Sequence, residues 1–159
     1  GMPFVRPLLF QTQNPDVEES ALHVASLHRD PKVLLEMPRT FSNNAVIRRR
    51  VAEVAGRTRN GSAVFELLNT NKDSTVRQLD RGELHAFAYA LIEIADPVAT
   101  AEGLKSENSN VRRVALLALD QMDGGGLKPE QVTPLLSSTD AQLNETARWI
   151  VSQHPEWGG

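Results

Sequence analysis

The stretch Asn108 to Met122, NSNVRRVALLALDQM, decides how the rest of the chain is read. Asparagine at 108 is a strong helix N-cap, because its side-chain oxygen accepts from an N–H that the first turn leaves unpaired. Beyond it, Val111, Ala115, Ala118, Leu119 and Met122 fall on one stripe at helical spacing. With Val111 as anchor, the positions four, seven and eight residues further on are all apolar.

The same register returns four times, from the anchors Val17, Ile47, Leu84 and Leu143. Four residues past each anchor, counting Val111, stand Ala21, Val51, Ala88, Ala115 and Ala147, all small enough for close helix–helix approach. Seven past come Val24, Val54, Leu91, Ala118 and Ile150, and eight past come Ala25, Ala55, Ile92, Leu119 and Val151. Repeated stripes with a matched small residue are the signature of an internal repeat. Three residues before the anchor sit Asn14, Asn44, Asn108 and Asp140, each a capping type. The third unit has Arg81 at that place, and there Asp80 and Glu83 offer a D-x-x-E capping box one residue earlier.

Each stripe is preceded by a shorter apolar segment ending in leucine: Leu8-Leu9, Leu34-Leu35, Leu67-Leu68, Leu104 and Leu135-Leu136. Asp30-Pro31, Asp96-Pro97 and Pro129-Glu130 mark the starts of such segments, since proline fits the first helical turn. Pro7 and Pro134 sit just ahead of a leucine pair, where an interior proline is expected to kink the helix. Gly56 to Gly61, the polar run Asn69 to Thr75 and Gly124 to Gly126 read as breakers. The expectation is an all-α chain of five antiparallel helix pairs, the second helix of each pair the longer. The pairs span approximately 3–28, 30–58, 61–95, 97–123 and 128–154, in a single domain over 1–159.

Composition agrees with stacked helices. The chain has 159 residues, 40% apolar but only 5% aromatic, so its core is built from Leu, Val, Ile and Ala. A net charge of −3 gives no global attraction for nucleic acid or an anionic membrane. With no cysteine, disulfides, thiolate metal sites and a cysteine nucleophile are excluded. No apolar run approaches the ~18 residues of a membrane span, so membrane insertion is not expected. Gly1 ahead of Met2 reads as a cleavage scar, and the chain as a piece of a longer parent.

Together these features resemble HEAT repeats, the α-solenoid family, whose loose pattern has a proline in the first helix, a leucine pair, then D-x-x-V-R-x-x-A-x-x-A-L. Asn108-x-x-Val111-Arg112-x-x-Ala115-x-x-Ala118-Leu119 matches it with Asn for Asp. Asn44-x-x-Ile47-Arg48 matches in part, as does Pro134-Leu135-Leu136 followed by Asp140-x-x-Leu143. The resemblance implies a right-handed superhelical stack with the second helices lining its concave side. The units are shorter than the family's ~40 residues, as in compact bacterial HEAT-like proteins. A narrower resemblance rests on Arg148-Trp149-Ile150 through His154-Pro155-Glu156-Trp157. It is similar to the end of the HEAT segment in large exported bacterial proteins, where that segment joins a β-propeller to a c-type haem domain. That implies an exported or periplasmic setting; no C-x-x-C-H is present to hold haem.

One and two residues past the anchors runs a ladder that includes Arg48-Arg49, His85-Ala86 and Arg112-Arg113. It reads either as ion pairing between neighbouring repeats, Glu18 toward Arg48 for instance, or as a strip offered to an acidic or phosphorylated partner. Trp149 and Trp157 read either as cover for the last repeat or as a docking surface. The candidate partner-binding residues are therefore Arg48, Arg49, His85, Arg112, Arg113, Trp149 and Trp157. The expected function is a non-catalytic scaffold or spacer contacting a protein or neighbouring domains, with no catalytic residue, metal or cofactor assigned. Two alternatives stay open. One is a nucleic-acid-binding protein resembling the HEAT-like DNA glycosylases, which needs Arg48, Arg49, Arg112 and Arg113 on one surface. The other is an enzyme using His23, His28 or His85 at a metal, although the adjacent His-Glu dyad of HEAT-type di-iron hydroxylases is missing.

Overall fold

The computed structural model describes residues 14–29, 44–69 and 79–158. Among the described residues there are eight α-helices and no strand. In chain order they are α1 (Pro15–His28), α2 (Ala45–Arg57), α3 (Ala63–Asn69), α4 (Arg81–Ile94), α5 (Pro97–Ala101), α6 (Ser109–Gln121), α7 (Pro129–Val132) and α8 (Ala141–Gln153). Three short 3-10 segments, Glu102–Lys105, Thr133–Ser137 and Pro155–Gly158, follow α5, α7 and α8.

The starts of the five long helices, α1, α2, α4, α6 and α8, are set by the caps visible in sequence. Asn14, Asn44 and Asn108 each accept from the N–H two residues on, and Asp140 accepts from Leu143 N at 2.8 Å. In α4 the box is complete: Asp80 Oδ1 accepts from Glu83 N at 2.8 Å, and Glu83 Oε2 accepts from Asp80 N at 3.3 Å. A cap of this kind is worth about 1 kcal/mol. At the other end α1 and α4 stop on left-handed residues, Arg29 (φ 50°) and Ala95 (φ 60°), neither of them the glycine that this conformation favours.

The long helices pack in chain order, α1 on α2, α2 on α4, α4 on α6 and α6 on α8. All five small residues of the seam, Ala21, Val51, Ala88, Ala115 and Ala147, are buried. So is the rest of the stripe, except for the half-buried Val17, Val24, Ile92 and Val151. The short helices lie against this row: α3 meets α4, α5 and α6, while α7 and its 3-10 extension meet α8. Phe87 and Leu91 of α4 are fully buried in one cluster with Leu67 and Leu68 of α3 and Val111 and Ala115 of α6. A second cluster joins Leu116, Val132, Leu143, Ala147 and Ile150. Burying a Leu or Phe contributes roughly 1.5–3 kcal/mol, so these clusters hold the short helices to the long ones.

Two boundaries differ from the sequence-based expectation. Gly56 is not a breaker but a buried residue in the last turn of α2. A Cβ there would stand 2.9 Å from Ala90 Cα, so the glycine is what lets α2 and α4 approach. The leucine segments before α6 and α8 are not continuous α-helices, because each tightens into 3-10 geometry after four or five residues. Pro134, which has no N–H to give an α-helical bond, lies at that change. The expectations for Asp30-Pro31, Pro7, Leu8-Leu9, Leu34-Leu35 and most of the Asn69–Thr75 run lie outside the described residues.

Candidate interaction surface

The ladder one and two residues past the anchors divides into inward and outward members. Arg48 is only 7% exposed, and its Nε and Nη2 donate to Glu83 Oε1 of α4 at 2.7 and 2.5 Å. Its partner is thus the following helix, and the expected Glu18 contact gives way to Glu83. Arg113 is buried too, donating from Nε to Thr146 Oγ1 at 3.2 Å and from Nη1 to Gln142 Oε1, both on α8. Burial lowers the Arg113 pKa, against the opposing pull of Asp140 and Glu145. Arg112 is half-buried with Nη2 3.4 Å from Ser109 Oγ, and its buried Nε has no hydrogen-bond partner among the described residues. The four arginines that a nucleic-acid surface would need are therefore not gathered: Arg48 and Arg113 lie between helices.

Arg49 and His85 face outward, into a groove of about 770 Å³ formed by α1, α2, α4 and α6. Four of its charged members on α1 and α2, Glu19, Arg50, Glu53 and Arg57, are already linked by ion pairs. Arg50 donates to Glu19 Oε1 on α1 at 3.1 Å and to Glu53 Oε2 at 2.8 Å, and Arg57 lies 3.1 Å from Glu53. The bond to Glu53 raises the Arg50 pKa against the cost of burial. Burial opposes ionisation of Glu53, but Arg50, the Ser26 hydroxyl and Arg57 hold its pKa below the usual value. Arg49 is less engaged, 39% exposed and 4.0 Å from Asp80. Tyr89 projects from the same wall at 62% exposure, and Ile92, Glu93, Leu117 and Gln121 complete the surface around it.

These last residues were not singled out by sequence, although a signal exists. At ~100° per residue, positions five, six and nine past an anchor lie opposite the buried stripe. Tyr89, Glu53 with Leu117, and Glu93 occupy those places. Register position alone does not sort the ladder: Arg48 and His85 both stand one past an anchor, yet Arg48 meets α4 while His85 is exposed.

Trp149 and Trp157 part company. Trp149 is 44% exposed on α8. Trp157 stacks on the His154 ring, centroids 4.1 Å apart and planes 8° from parallel, and packs against the α8 core cluster. His154 in turn bridges Asp120 Oδ1 of α6 through Nε2 and Glu156 Oε1 through Nδ1, both at 2.6 Å. The hydrogen bond to Glu156, then that to Asp120, raises the His154 pKa, and the same contact lowers that of Glu156. His23, His28 and His85 are exposed, and among the described residues no group of three His, Asp or Glu side chains is placed to hold a metal ion. No described helix is long and apolar enough to cross a membrane. No family model and no curated protein matches the chain.

Proposed function

We propose that this chain is a non-catalytic, HEAT-like interaction module whose long helices present the groove to a protein partner or a neighbouring domain of a larger chain. Five helix pairs, stacked with a right-handed superhelical twist, are the architecture this reading assigns. It is supported by the chain-order packing of α1, α2, α4, α6 and α8 and by the recurrence of one cap and one small-residue seam in each unit. The observation that carries the functional part is the groove itself. It draws on four successive long helices and displays a large exposed aromatic, Tyr89, beside charged walls. Aromatic and arginine side chains are the types that dominate binding energy where proteins meet.

Two measurements test it. An elongated stack gives a radius of gyration in small-angle scattering clearly above the roughly 15 Å of a compact domain of this length; a compact value removes the stack. A photo-crosslinking amino acid at position 89 should capture a discrete protein partner in the cell that makes the chain, and Arg49→Glu should abolish the adduct. The same probe at the exposed Phe65 of α3, which does not line the groove, should not capture it. Equal capture from both positions would remove the groove as the partner surface.

A further inference from the structure

We infer that the groove receives an acidic peptide segment, a carboxylate held by Arg49 and His85 and an adjacent apolar side chain laid against Tyr89, Ile92 and Leu117. This rests on the groove being the partner surface and adds the chemistry of what enters it.

The argument is one of charge left over. Glu19 and Glu53 are satisfied within the groove by Arg50 and Arg57. Arg49 is not satisfied in the same way. Its nearest carboxylate, Asp80, is 4.0 Å away, and that Oδ1 already accepts from Glu83 N. On the same lining stand His85 and Tyr89, exposed and with no hydrogen bond among the described residues, and the lining's Arg29, Arg49, Arg50 and Arg57 outnumber Glu19, Glu53 and Glu93 four to three. The chain as a whole carries −3, so a locally cationic groove is the place that draws an anionic segment.

Arg49 is also held in place. A Cβ on Gly82 would stand 2.6 Å from Arg49 Nη1, so the guanidinium rests on bare backbone in the first turn of α4. His85 lies three residues beyond Gly82 and Tyr89 four beyond that, which sets them along one edge of α4. A carboxylate at the guanidinium makes a charge-assisted hydrogen bond, the strongest polar contact this surface offers. Beyond it, Tyr89, Ile92 and Leu117 supply apolar area within one side chain's reach. A basic segment would instead set like charge against Arg49. A nucleic-acid strand would need a run of exposed cations, and two of the arginines in question lie buried between helices.

The test is selection of short random peptides displayed on phage against the purified chain, with Arg49→Glu, Tyr89→Ala and the distant Phe65→Ala as comparators, each checked for unchanged helicity. Enriched sequences should place Asp or Glu within a few residues of Leu, Phe or Trp. Their binding should fall about tenfold or more in Arg49→Glu and weaken with salt. Tyr89→Ala should weaken it as well, and Phe65→Ala should leave it unchanged. Replacing the peptide acid by lysine should restore binding to Arg49→Glu. Enriched peptides without acids that still require Arg49 and Tyr89 would overturn the acidic segment and leave the groove as the partner surface. Peptides bound equally by all variants would overturn both. No enrichment, or duplex DNA binding that requires Arg49, would overturn the inference, with crosslinking at position 89 still deciding whether the groove meets a folded partner.

Discussion

Arg48 on α2 gives two N–H groups to a single carboxylate oxygen of Glu83 on α4, and the two side chains are 8% and 0% exposed. Glu83 also closes the cap of α4 through its other oxygen. One carboxylate therefore starts a helix and ties it to the helix before it. Removing either partner strips the other buried charge of this contact, at a cost of about 3–5 kcal/mol. Arg48→Ala and Glu83→Ala should each lower the unfolding free energy read from urea denaturation by that amount, whereas Arg48→Met combined with Glu83→Leu should recover most of it. A double variant as unstable as the singles would show that the pair is not the source of the loss.

Gly56 and Gly61 stand five residues apart and should answer to alanine with opposite signs. At Gly56 the added methyl meets Ala90 Cα at 2.9 Å, so overpacking of about 1–3 kcal/mol outweighs the helix preference for alanine. At Gly61 nothing lies within 4 Å, and the stiffer unfolded chain should leave Gly61→Ala neutral to about 1 kcal/mol more stable. Thermal melts of the two variants decide it, and equal shifts would deny that α2 and α4 touch at position 56.

Ala95 ends α4 at φ 60°, and its N–H bonds to Leu91 O at 3.0 Å. A methyl in the left-handed region costs ~1 kcal/mol or more that glycine does not incur. Ala95→Gly should raise stability by about 1 kcal/mol, read from a chemical denaturation curve, with no change in helix content.

The His154 contacts have a pH window. A histidine whose folded pKa is raised contributes stability that is fully present below its ordinary 6.5 and is lost as pH climbs through the raised value. Glu156, lowered from 4.5, contributes above that value and loses its share as pH falls through the lowered one. The clasp between α6, α8 and the C-terminal 3-10 turn is therefore tightest from about pH 4.5 to 6.5. Trp157 fluorescence, read in a Trp149→Phe background, should be most quenched there by the stacked cationic ring and should recover at alkaline pH. In His154→Gln the profile should be flat; a titration that persists would assign it to another group.

Most of the helical layout is legible in the sequence because it is written in local chemistry. The caps at Asn14, Asn44, Asn108 and Asp140, and the shift to Asp80 with Glu83, follow from side chains bonding to backbone within three residues. The buried stripe follows from helix period alone. Arg48 shows where this stops: its burial depends on a glutamate thirty-five residues later, and no local pattern says which carboxylate will face it. Tyr89 and Leu117 escape for the same reason, since a groove is a property of four helices side by side. The 3-10 tightening at Thr133–Ser137 has Pro134 in its first turn, which the sequence marks as a kink, whereas that at Glu102–Lys105 has no proline to mark it and packs against α6.

Among the described residues each long helix leans on the one before and the one after it. In the proposed HEAT-like stack, such an array would bend as a leaf spring does, every layer tilting a little on the next. Flexing it would widen or narrow the gap between Arg49 on one leaf and Tyr89 on another. Whatever bridges that gap would stiffen the whole, and tension along the chain would open it leaf by leaf rather than all at once.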